Sequence, residues 1–272
     1  MNELVVSKRH SKIFRELNAI ITIMSRDITL IIKSPAAIII SLAFPIIMMG
    51  MLGGNLSQNM ASGLGFSYNR FMMVGMLINM LFMGTVMQMT SLVDDHETDF
   101  TQEMLVSPVS RYSIVIGKIF GSMFIAIVNM IGTLAVGLAM GITLSWVQLL
   151  LLLILSPLMC LSAGAISMLI IGLIKNKKTA NTAVMLIVMP QMFLSGAIIP
   201  INHSSGILYV LNHLMPMTYC LDLARAVIYA GTNEYAKVVM FNPIINFITI
   251  AVLTIVFLVI GTISFARSEK NK

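Results

Sequence analysis

Charged residues are scarce in this sequence. Only 10% of its positions are Asp, Glu, Lys or Arg, against about 25% in a soluble globular protein. That is too little charge to cover a water-facing surface. Eleven acids and four histidines leave little material for a buried catalytic centre. The two cysteines fall far apart, Cys160 in an apolar run and Cys220 in a later loop, so neither a structural disulfide nor a metal site is expected. A single tryptophan, Trp146, argues against the aromatic stacking surfaces that sugar polymers need. No phosphate-binding loop is present. Gly117-Lys118 is followed by Ile119 and lacks the earlier glycine of that pattern.

What the chain has instead is apolar length. Of its 272 residues, 58% are hydrophobic, and the mean hydropathy is +0.94. A membrane-crossing helix needs about 20 mostly apolar residues. Six runs meet or approach that: 36–53, 71–92, 114–142, 147–174, 180–201 and 244–265. The expected fold is an all-α polytopic membrane protein, with a transmembrane domain of six helices over 34–272 behind a leader over 1–33. Pro45, Pro157 and Pro190 sit inside the first, fourth and fifth runs. Each removes a backbone hydrogen bond and favours a bend.

The leader is basic, with Lys8, Arg9, Lys12, Arg15, Arg26 and Lys33. Its first long apolar run begins only at Ala36, too late for a cleaved signal peptide. Ile13, Leu17, Ile20, Met24, Ile28 and Ile31 recur at helical spacing. That pattern predicts an amphipathic helix lying in the membrane interface, or one packed on a protein surface. Ser34-Pro35 supplies an N-cap and a first helical residue for the first apolar run. Between the fifth and sixth runs, 207–231 breaks at Pro216 into two short segments. Neither half is long enough to cross, which predicts short re-entrant outer helices or a plain outer loop helix.

Seventeen lysines and arginines set the orientation. All but Arg70, Arg225 and Lys237 fall on the leader's side of a six-span topology. The positive-inside rule therefore places both termini in the cytoplasm. A net charge of +6 suits membrane flanks. Nucleic-acid binding would need a clustered basic face on a soluble module. The runs hold no acid, arginine or histidine, and Lys118 is expected to snorkel to the interface. Proton coupling is thereby disfavoured.

Residues 94–111 read DDHETDFTQEMLVSPVSR. Asp94 or Asp95 suits a helix N-cap. Phe100, Met104 and Leu105 form a small apolar edge beside Glu97, Thr101 and Gln102. The segment offers a short amphipathic helix to a cytoplasmic partner, or is a solvated turn. Its acids lack the calcium-loop spacing, and no metal site is expected.

Met72, Met76, Met80, Met83 and Met87 share one helical face. Such a stripe reads as core packing, as an adaptable route for apolar cargo, or as a copper(I) path. Among the polar residues inside the runs, Asn79, Gln88 and Gln191 are the candidate substrate contacts. Three small-residue pairs, Gly50/Gly54, Gly117/Gly121 and Gly137/Gly141, have the spacing that admits close helix contact.

With these residues in view, the chain resembles ABC-2-type transporter permeases, a class that includes drug-resistance, nodulation and polysaccharide exporters. Two stretches carry the resemblance. Thr101-x-Glu103-x-Leu105-x-Ser107-Pro108-x-x-Arg111, followed by Gly117-Lys118, is similar to the family's cytoplasmic loop between spans two and three. Phe100 stands where the family often has glycine. Ser195-Gly196 with Pro200, then Pro216-x-x-Tyr219-x-x-Asp222-x-x-Arg225, is similar to its outer signature. The resemblance implies a coupling helix, with Glu97 also on it, docking on a separate ABC ATP-binding subunit. It further implies a homo- or heterodimer of permeases in the inner membrane of a prokaryote, with ATP and Mg on the partner and no cofactor on this chain. Cargo would be drug-like or lipid-like and exported. The other readings are a stand-alone sodium-coupled carrier or channel, a copper(I)-related permease, and a membrane anchor without cargo. Intramembrane hydrolysis would need paired aspartates, a serine with its base, or a metal, and the runs supply none.

Overall fold

The computed structural model describes residues 2–53, 65–95, 110–174, 177–201 and 204–270, with side chains given outside 2–13, 37, 52, 91–95, 111–112, 177–178 and 265–270. Among the described residues the fold is all-helical and holds no strand. The order is α1 (Asn2–Ile32), α2 (Pro35–Met48) running into a π-helical turn (Met49–Gly53), α3 (Tyr68–Asp95), α4 (Arg111–Ala139), α5 (Trp146–Leu173), α6 (Lys177–Leu194), α7 (Ile207–Leu214), α8 (Pro216–Ile228), α9 (Tyr235–Val238) and α10 (Pro243–Lys270).

Four segments are long and apolar enough to cross a membrane: Tyr68–Thr90, Ser113–Ala139, Trp146–Leu173 and Tyr235–Ser264. The first and fifth apolar runs form the shorter apolar helices Ile38–Met51 and Thr179–Leu194. Their short lengths trace to local causes. Pro45 lies inside α2, and the helix passes into the π turn four residues later. α6 contains Pro190 and ends at Leu194, before Gly196, whose φ is +81°.

α3 is the axis of the bundle. Every residue from Phe71 to Phe82 is buried, and α4, α5, α6, α8 and the π turn pack around it. α10 lies on the periphery, most extensively against α5. It exposes Ile244, Ile245, Phe247, Ile248, Val252, Ile255 and Val256, an apolar face suited to lipid. Lipid tails are as apolar as these side chains, so helix association here depends on close packing and polar links more than on the hydrophobic effect. Gly75 shows how close that packing is. A Cβ there would run into the carbonyl of Ala197 in the loop after α6.

The leader is one continuous helix laid along α4 of its own chain. Its packed side is Ile23, Asp27 and Ile31, all buried. Met24 and Ile28 are half-buried, while Leu17 is exposed. The packed stripe is thus turned by about one residue from the periodic apolar face. The reason lies on α4. A Cβ at Gly117 would sit 3.2 Å from the Ile20 backbone, and one at Gly121 would sit 3.0 Å from the Asp27 Cβ. This pair of glycines is the seat of α1. Gly50 has nothing within 4 Å. Ser34 precedes Pro35 as expected but makes no side-chain capping bond. Ser145 does cap α5, in a reciprocal capping box with Gln148.

Gly75→Ala is expected to destabilise the protein by about 1–3 kcal/mol, the usual penalty of overpacking, because backbone and not a flexible side chain occupies the space. Gly50→Ala is expected to be neutral. Thermal unfolding of both variants in detergent, followed by size-exclusion chromatography, checks this. Equal melting temperatures would refute the close approach.

Candidate functional site

A cavity of about 920 Å³ opens between α1, α2, α3, α4 and α6. Drug-sized ligand pockets span about 300–1,000 Å³. Its wall is mostly apolar: Met80, Met83 and Met87 from α3, Met189, Met192 and Phe193 from α6, and Phe44 from α2. The methionine stripe of α3 therefore divides. Met72 and Met76 are buried in the core, and the last three face the cavity.

The polar part of the wall includes Asp27, Asn79, Gln88, Lys118 and Asn129. Asn129 Oδ1 accepts a 2.7 Å hydrogen bond from Ser41 Oγ, tying α2 to α4. Asn79 is buried, and its Nδ2 has no hydrogen-bond partner. Of the three candidate contacts, Asn79 and Gln88 line the cavity. Gln191 does not: it is fully buried, with neither side-chain polar atom partnered.

Lys118 departs from its expected behaviour. It does not snorkel outward but is 3% exposed, with Nζ 3.3 Å from both carboxylate oxygens of Asp27. Asp27 is itself fully buried and lies 3.9 Å from Arg26. An unpaired charge at such a site would be costly, and pairing relieves that cost. Asp27 was not legible in the sequence, since α1 also carries Glu3 and Glu16 and the spacing sets none of the three apart.

The outer signature residues form a set of clamps. Asp222 on α8 accepts bonds of 2.8 Å each from the backbone N–H groups of Met240 and Phe241 and from Asn246 Nδ2. It thereby holds the start of α10. Burial pushes its carboxyl up from the usual range, and the Met240, Asn246 and Phe241 donors and the Arg225 charge oppose that. Arg225 Nη2 donates 2.7 Å to the carbonyl of Gly196, and the guanidinium stacks 3.7 Å from the Phe71 ring centre. Burial lowers Arg225 to about 10, so it remains charged at neutral pH. Tyr219 donates to the His213 carbonyl and Thr218 to that of Asn212, fixing α7 on α8 across the break at Pro216. Tyr68 donates 3.0 Å to the Ile198 carbonyl, in the loop that carries Pro200. Ser195 is buried, its Oγ unpartnered. These residues position helices around the end of the bundle that carries α7 and α8, and none of them lines the cavity.

The candidate coupling residues Glu97, Thr101, Glu103, Leu105, Ser107 and Pro108 lie outside the described residues, and Arg111 is the first residue of α4. Immediately before it, the Ser110 N–H donates 2.9 Å to Glu16 on α1.

Asp222→Ala orphans three donors at once and is expected to cost several kcal/mol, since a hydrogen bond to a charged group contributes about 1.5–3 kcal/mol. Asp222→Asn, which keeps one acceptor, is expected to cost less. Thermal melts of the purified variants check the order, and an alanine variant as stable as wild type would sink this account of the clamp.

Residues 18–229 match the family described as ABC-2 type transporter. Nodulation protein J of Neorhizobium galegae is 26% identical over 199 residues, covering 71% of this chain and 74% of that protein. The same-named protein of Rhizobium meliloti is 24% identical over 194 residues, with coverages of 71% and 74%. The transport permease ycf38 of Cyanophora paradoxa is 23% identical over 215 residues, with coverages of 77% and 74%. The family match spans most of the chain and includes the α1 seat, the cavity walls and the α8 clamps, so this multi-pass membrane protein belongs to the ABC-2 type transporter family.

Proposed function

We propose that this chain is the permease subunit of an ATP-binding cassette exporter. It moves a hydrophobic or amphipathic substrate, drug-like or lipid-like, out across the cytoplasmic membrane of a prokaryote. A separate cytoplasmic subunit binds ATP and Mg and hydrolyses the nucleotide. Two permeases, identical or different, form the membrane core. The observation that carries this reading is the large, mostly apolar cavity in a chain of a transporter family.

In this reading α2 with its π turn and α6 cross as the first and fifth spans, giving six spans and cytoplasmic termini. The lysine and arginine asymmetry supports that orientation. The segment after α3 carries the coupling helix, with Glu97, Thr101, Glu103 and Leu105 meeting the ATPase. α3 and α4 flank that segment, and both contribute to the cavity wall. A movement of the loop would therefore reach the cavity through two rigid helices. The bond from Ser110 to Glu16 adds α1 to the same lever. Such a change needs contacts that differ in free energy between two states, and the nucleotide cycle of the partner supplies that difference.

The test is affinity purification of the tagged chain in mild detergent from its native cells. An ATP-binding subunit is expected to co-purify with wild type and to be lost with Glu103→Arg. Absence of any ATPase, under conditions that keep other membrane complexes intact, would overturn the exporter reading in favour of a stand-alone carrier.

A further inference from the structure

We infer that Asn79 sets the specificity of the cavity, which takes lipophiles whose apolar body carries a group able to donate and accept a hydrogen bond at once, a carboxamide or a hydroxyl. The inference rests on the cavity being the substrate site of the proposed exporter, and it names the class of substrate.

Asn79 stands on α3 in the cavity wall. It is 1% exposed, and its Nδ2 has no hydrogen-bond partner. Buried polar side chains are nearly always paired, and a buried donor left without an acceptor is costly. At a cavity wall that cost becomes a source of affinity, because a ligand can bring the missing partner. Other polar groups of the wall are engaged already. Asn129 Oδ1 accepts 2.7 Å from Ser41 Oγ, Asp27 and Lys118 face each other at 3.3 Å, and Gln88 has an interaction of its own.

The ligand group follows from the carboxamide. A carboxamide presents a donor and an acceptor side by side, and half a turn about its last side-chain bond exchanges them. A ligand amide or hydroxyl also has both, so it satisfies Asn79 in either orientation. A ketone serves in only one, and an alkyl chloride in neither.

The ligand body follows from the rest of the wall. Met80, Met83, Met189, Met192, Phe44 and Phe193 are thioether and aromatic. Methionine reshapes around apolar bodies of different outline. None of the six offers a strong hydrogen bond, so the polar group of the ligand has its place at Asn79. A site that pairs a ligand NH or OH rejects the analogue lacking it far better than an apolar wall discriminates by shape. The volume of about 920 Å³ suits one drug-sized molecule.

Gln191 provides an internal comparison. It is also a buried carboxamide, 0% exposed and with neither polar atom partnered, but it is not part of the cavity wall. The two residues share their chemistry and their burial and differ in access to a ligand.

The test uses the full chain in nanodiscs of zwitterionic lipid. Tritiated dodecanamide is the probe, and binding to empty nanodiscs is subtracted. Dodecanol, decyl methyl ketone and dodecyl chloride compete, each corrected for its own partition into the lipid. Dodecanol is expected to compete about tenfold more strongly than dodecyl chloride, with the ketone between them. Asn79→Leu, close to Asn in size, is expected to flatten that order. Gln191→Leu is expected to leave it unchanged. Absence of binding above empty nanodiscs, or equal competition, in the wild type overturns the inference without any variant, so misfolding of Asn79→Leu does not shield it. An order that survives Asn79→Leu, or that Gln191→Leu abolishes as well, overturns it too. Binding here needs no partner subunit. A flat order alongside a co-purifying ATPase therefore removes the substrate class and leaves the permease reading. The full order without any ATPase keeps the ligand class of the cavity and removes the exporter.

Discussion

A polar group inside a bilayer has no water to turn to, and this constraint shapes both ends of the molecule. At the end that carries α7 and α8, helices stop and restart inside a packed bundle, so their open backbone groups need partners. Asp222 gathers two N–H groups at the start of α10, and Arg225 takes the Gly196 carbonyl at the end of α6. At the other end, the acid that pairs with Lys118 comes from the leader helix. Without these links the helices would remain helices but would lose the polar contacts that help fix how they sit on one another.

Close packing and polar links act together. The Gly117/Gly121 seat lets α1 approach α4 closely enough for Asp27 to reach Lys118. The Gly75 approach brings the loop after α6 against α3, in the same region where Arg225 stacks on Phe71 and Tyr68 bonds to Ile198. In each case a missing side chain makes room for a polar contact that a larger residue would hold apart. The cavity draws its walls from five helices, and Asp27 and Lys118 are part of its lining.

Much of the architecture was legible because a bilayer makes hydropathy a strong signal. The long apolar runs coincide with α3, α4, α5 and α10, two of them overrunning the helix end by one to three residues, and the break at Pro216 separates α7 from α8. The two runs interrupted by Pro45 and Pro190 gave shorter helices, since local backbone geometry, not apolarity, sets where a helix stops. The site was legible only in part. Asn79 and Gln88 stand out as polar residues in apolar runs, and both face the cavity. Gln191 has the same appearance in sequence but points into packed protein. One periodicity serves a residue on either side of a helix, so the pattern could not separate them.

The sequence by itself determined the solvent of this protein, its helical class and the family motifs, because each depends on local composition or short-range spacing. Only the tertiary structure decided that Asp27 meets Lys118, that the leader lies on α4, and that the signature residues fasten helices instead of lining the cavity. Those outcomes depend on pairs separated by many residues, such as Asp27 with Lys118 and Gly196 with Arg225. No single stretch of the chain records which distant partner will satisfy its buried charge.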